Sequence, residues 1–128
     1  MKIRKIIIIS MILIVVLLSG CGRQSTVKLI EEKKTYPEPE TVINSLEESG
    51  FQVECFDNFE ELGIETTMIK AIRDEEYIDI CYDVLTENDL DEIIEYYTSN
   101  YKKYNLVSNV DLVFCYSSEA VAEEAGLQ

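Results

Sequence analysis

Hydrophobic and polar positions divide the chain before any composition is counted. A basic start at Lys2, Arg4 and Lys5 leads into residues 6–18, which are apolar except for Ser10. These 13 residues, or 17 if the uncharged run is taken to Gly22, fall short of the roughly 20 that a helix needs to cross a bilayer. The pattern predicts a cleavable export signal over residues 1–20, with small Ser19 and Gly20 before the cut. Residues 22–37 are polar, with Lys28, Lys33 and Lys34 set against Glu31 and Glu32, and read as a tether.

Beyond the tether the periodicity becomes regular. Pro39 stands where a helix would start, Val42, Ile43 and Leu46 follow at helical spacing, and Gly50 closes the element. Residues 51–56 alternate as a strand does, turning Phe51, Val53 and Cys55 to one side, with Cys55 as a small buried hydrophobe. Residues 58–63 connect it to a hairpin whose arms, 65–73 and 77–84, flank Asp74-Glu75-Glu76. In the second arm Ile78, Ile80, Tyr82 and Val84 share the buried face, and Asp79, Cys81 and Asp83 the wet one. Thr86 and Asp89 then have the form of a capping box, opening a helix with Leu90, Ile93, Ile94, Tyr97 and Tyr101 along one stripe. Residues 110–116 make a fourth strand, and Ser117 or Ser118 caps a short last helix through Val121, Ala122 and Ala125 to Gly126. The order α-β-β-β-α-β-α predicts an α+β fold: a small, mostly antiparallel four-stranded sheet with helices on one face, forming a single domain over residues 38–128.

Charge narrows the choice of partner. After the signal, 8 Lys+Arg face all 25 Asp+Glu, a net charge of −17; from Tyr36 onward 4 face 23, or −19. Nucleic acid is excluded, because its binding needs cations that replace condensed counterions. Direct adhesion of the domain to an anionic membrane is disfavoured, and a cationic partner would be steered in. Solubility alone is the plainer reading of this acidity. With 47% apolar residues the chain is too hydrophobic for disorder.

Leu18-Ser19-Gly20-Cys21 at the end of the export signal resembles the lipobox of bacterial lipoproteins. The resemblance covers residues 1–21 only. It implies that Cys21 is acylated through its sulfur, that signal peptidase II cuts just ahead of it, and that the lipid bilayer is the first partner. Two or more acyl chains on one residue suffice for stable anchoring. The vocabulary rich in Ile, Lys, Glu and Asn suggests a Gram-positive source, hence the extracytoplasmic face of the cell membrane.

Catalytic chemistry has few candidates. The chain holds no His, which removes the usual general base and the commonest transition-metal ligand. No phosphate loop, nucleotide fingerprint or serine elbow occurs. Acid pairs such as Asp79 with Asp83 have the chemistry of a glycosidase dyad, but a domain this small with no evident cleft argues against that role. Asn88, Asp89, Asp91 and Glu92 gather oxygen ligands without the spacing of a calcium loop, and a helix N-terminus accounts for acids there without an ion. No metal or cofactor is expected.

Cysteines and tyrosines are the remaining features. Cys81 and Cys115 both lie out of phase with the apolar face of their strands, so a disulfide between them and free thiols both stay open. Without a CxxC, thiol redox catalysis is not expected. Tyr96 and Tyr104 flank the core tyrosines Tyr97 and Tyr101 and are candidates for partner contact, with ordinary packing as the plainer reading. The expectation is a membrane-anchored, non-enzymatic acidic domain that binds a protein or cationic peptide. The alternative is a small-ligand or ion-binding lipoprotein serving a transporter or sensor.

Overall fold

The computed structural model describes residues 25–127. The export signal and Cys21 lie outside them. Six strands form one sheet: β1 (Thr26–Ile30), β2 (Gln52–Phe59), β3 (Ile64–Arg73), β4 (Glu76–Tyr82), β5 (Asn105–Asn109) and β6 (Leu112–Tyr116). Their spatial order is β1-β5-β6-β4-β3-β2, and every pairing is antiparallel except β1 with β5. Three helices are described: α1 (Pro39–Glu48), α2 (Glu87–Asn100) and α3 (Glu119–Ala125). The mixed α+β class and the mostly antiparallel sheet match expectation; the four-strand count does not.

Local chemistry sets the element boundaries. Pro39 starts α1, and Gly50 at φ +93° lets the chain reverse into β2. The Thr86 hydroxyl accepts from the Asp89 amide at 3.0 Å and caps α2. Gly126, left-handed at φ +83°, ends α3. Asp74 at φ +57° turns β3 into β4, and Val110 at φ +55° turns β5 into β6. Residues 110–111, expected to begin a strand, are therefore the turn before β6.

The helices do not share a face. Val42 and Leu46 of α1 with Val121, Ala122 and Ala125 of α3 pack on Ile69, Ala71, Ile78, Ile80 and Phe114. Ile93 and Tyr97 of α2 pack on the opposite face with Met68, Cys81, Leu106, Val113 and Cys115. The expectation of helices on one face is corrected by this: the sheet is the middle of three layers. Hence Asp79 and Cys81, expected on a wet face, are 4% and 0% exposed.

The expected tether also needs correction. Residues 26–30 are β1. The side chain of Asn109 then fixes residues 30–34, donating to the carbonyls of Ile30 at 3.1 Å and Glu32 at 2.9 Å and accepting from the Lys34 amide at 2.9 Å. Asn109 is 1% exposed, so these bonds satisfy a fully buried amide. Lys33 closes the clasp on Asp111 at 3.1 Å. The sheet thus reaches to within five residues of Cys21.

Candidate functional site

Register lines up one cross-strand row over all six strands: Glu54, Lys70, Asp79, Cys115, Leu106 and Val27. Helix α2 covers the middle of this row, where Asp79, Cys115 and Leu106 are buried. Its cover stops at β3. Lys70 is half-buried and Glu54 exposed, leaving an open trough of about 630 Å³ between the end of α2 and the β2–β3 edge. Beside the charged row stand Gln52, Ile72 and Tyr77 on one side and Phe56 on the other, with Tyr101 contributed from the end of α2. Two of these, Ile72 and Phe56, are large exposed apolar side chains.

Asp79 is the unusual member. The hydroxyls of Tyr97, at 2.9 Å, and Tyr101, at 3.3 Å, both donate to its Oδ2. Its Oδ1 receives no hydrogen bond among the described residues. Burial raises the Asp79 pKa above the usual carboxylate range, while the Lys70 charge and the two tyrosine hydroxyls pull it back. Burial likewise pushes the phenols of Tyr77, Tyr97 and Tyr101 up, so all three stay protonated donors. Lys70 forms no ion pair among the described residues. The trough therefore has a nearly buried carboxylate in its lining, a cation beside it, a second carboxylate at its rim and apolar surface on both flanks.

The residues singled out from sequence are distributed differently. Cys81 and Cys115 lie on neighbouring strands and one face, yet both are free thiols. Cys115 pairs with Asp79 and Cys81 with Val113, so the two cysteines are diagonal neighbours. Diagonal positions sit roughly 7–8 Å apart, beyond the usual span of a disulfide. Burial pushes the Cys115 thiol up to about 12 and the Cys81 thiol higher still. Cys55, expected inside, is exposed because β2 is an edge strand whose far face no helix covers at that point. Tyr96 and Tyr104 are half-buried and pack on the α2-side core; Tyr96 meets Phe59 edge-on at 5.0 Å. They form no shared exposed patch. Asp83 is exposed beyond the end of β4, about 13 Å along an extended chain from Asp79, too far for a glycosidase pair. Asn88 and Glu92 bond to each other at 3.3 Å on the first turns of α2. No cluster of three metal-ligating side chains occurs among the described residues.

Sequence reasoning missed Lys70, Glu54 and Tyr101 as one group with Asp79. The available cue was a helix stripe ending in two tyrosines, whose hydroxyls need partners once buried, facing a strand that alternates Asp and Cys with isoleucine. No described helix is long and apolar enough to cross a membrane. The chain matches no protein-family profile, no curated protein and no solved structure at a significant level.

Proposed function

We propose that the protein is an extracytoplasmic lipoprotein, anchored through acylated Cys21, whose trough receives a cationic group from a protein or peptide partner. The observation that carries the reading is Asp79 in the lining of an open trough, its Oδ2 held by Tyr97 and Tyr101 and its Oδ1 without a hydrogen bond among the described residues. A lysine or arginine side chain suits it. Its charged head meets Asp79, and its aliphatic stem lies along Ile72 and Tyr77. Net acidity steers such a partner inward, and Glu54 at the rim extends the attraction. The chemistry is recognition. The trough offers carboxylates, one lysine and phenols held fully protonated, and binding needs no more than that.

One feature favours a second reading, a small zwitterionic ligand: Lys70 stands between Glu54 and Asp79 in the same row and would meet the anionic end. The trough volume lies within the range usual for small-ligand sites.

Titration of the full chain with a fluorescent tetralysine peptide, and separately with free lysine, tests both readings. Micromolar peptide binding that weakens with salt and falls about tenfold or more in Asp79→Asn supports the first, since a buried charged hydrogen bond is worth ~2 kcal/mol or more. Tighter binding of free lysine than of the peptide supports the second. Peptide binding equal in wild type and Asp79→Asn removes the trough from the account.

A further inference from the structure

The start of β1 fixes which end of the domain meets the membrane. The Thr26 amide donates to the Tyr104 carbonyl at 3.0 Å, and the Ser25 hydroxyl donates to the Lys102 carbonyl at 3.1 Å while accepting from the Tyr104 amide at 3.3 Å. Residues 102–104 are thereby pinned beside the point where the chain leads back to Cys21. Only Gly22, Arg23 and Gln24 lie between Cys21 and Ser25, and four residue steps span at most ~14 Å. Lys102 and Lys103 are exposed and form no ion pair among the described residues. Lys33, by contrast, lies beyond the far end of β1, bound to Asp111. At the same end of the sheet Glu76 is held by Arg73 at 2.6 Å and the Tyr116 hydroxyl donates to Glu119, while Asp74 and Glu75 of the β3–β4 turn are exposed.

We infer that this end is a membrane-facing surface, with Lys102 and Lys103 against anionic lipid headgroups and Tyr104 at the polar–apolar boundary. The inference rests on the lipoprotein reading, because the acyl chains supply the attachment and the lysines only orient the domain. Two cations in a domain of net charge −19 from Tyr36 onward are enough for that role. Charges further than about 8 Å from the lipid surface are largely screened at physiological salt, so the distant acids repel weakly while the two lysines attract. Interfacial tyrosines prefer that same boundary. The trough then opens near the bilayer, since the Tyr77 hydroxyl that flanks it donates to the Lys103 carbonyl at 3.1 Å.

Lysine footprinting on the full chain purified from its native membrane tests this. The protein is placed in phosphatidylcholine vesicles with or without phosphatidylglycerol and treated with a water-soluble acetylating reagent, and each lysine is read by mass spectrometry. The expected result is protection of Lys102 and Lys103 by about fivefold in anionic vesicles, the population shift that roughly 1 kcal/mol per surface lysine gives, with Lys33 unchanged and the protection lost in high salt. Flotation with vesicles together with equal acetylation of Lys102 and Lys103 in both lipids overturns the orientation and leaves the anchor standing. An intact mass without acyl chains, with no flotation, overturns the anchor itself.

Discussion

Asp79 shows how one side chain is held at a cost to stability. Its pKa is raised by burial, so the folded protein holds that proton more tightly than the unfolded chain does. The stability contributed this way is complete below the ordinary carboxylate range, near pH ~4, and is lost as pH rises through the raised value. Asp79→Asn keeps an acceptor for Tyr97 without the buried charge. Thermal melts should show the variant and wild type close together at pH 4, with the variant increasingly the more stable towards pH 8. An identical pH dependence in the two proteins would mean that Asp79 is not desolvated. A binding group that weakens its own fold is the expected trade-off at a recognition site. The cysteines carry a second residue-scale prediction. With Cys81 and Cys115 buried and the Cys115 thiol pushed up to about 12, a thiol reagent at pH 7.5 should label Cys55 in the native domain and the other two only after unfolding. Val110 carries a third. A β-branched residue at φ +55° is strained, and Val110→Gly should raise stability by about 1 kcal/mol in urea melts.

Strands β1 and β5 are the two elements that sequence reading passed over, each only five residues long. Thr26–Ile30 is exposed along nearly its whole length, so it carries no buried stripe for periodicity to detect. Its partner β5 lies 79 positions away, from Thr26 to Asn105, and is only five residues long. Short edge strands with long-range parallel pairing leave no local mark. The longer elements, by contrast, were readable from spacing and caps: α1, the β3–β4 hairpin and α2. The same patterning misled for Asp79 and Cys81, because polar alternation implies a wet face only when nothing covers it. The α2 stripe held the missing information, for Tyr97 and Tyr101 need polar partners in a core. Asn109 tests β1 directly. Its three side-chain bonds hold residues 30–34, and Asn109→Ala should cost ~2–3 kcal/mol and raise amide exchange across residues 26–34 before the rest of the sheet.

At the scale of the whole molecule, layer coverage and charge act together. Three layers protect the middle of the sheet, and the absence of cover beyond β3 leaves the trough open next to the free β2 edge. Glu54 and Asp57 on β2 blunt that edge against strand pairing with other chains. Cation binding at Asp79 should tighten as pH rises through its raised pKa, since the ionised form is the one that binds. The other groups acting on the site are Glu54 from β2, Glu61 from the β2–β3 turn, Lys70 from β3, Tyr77 from β4, Cys115 from β6 and Tyr97 and Tyr101 from α2; burial keeps the phenols and the thiol protonated through the same range.

The most direct test is a backbone amide NMR titration of the lipid-free mature chain with tetralysine at low salt. The account predicts shifts concentrated at Gln52, Glu54, Lys70, Ile72, Tyr77, Asp79 and Tyr101, and their loss in Asp79→Asn. Small shifts spread evenly over the acidic surface, unchanged by that substitution, would contradict it and leave the acidity as a matter of solubility alone.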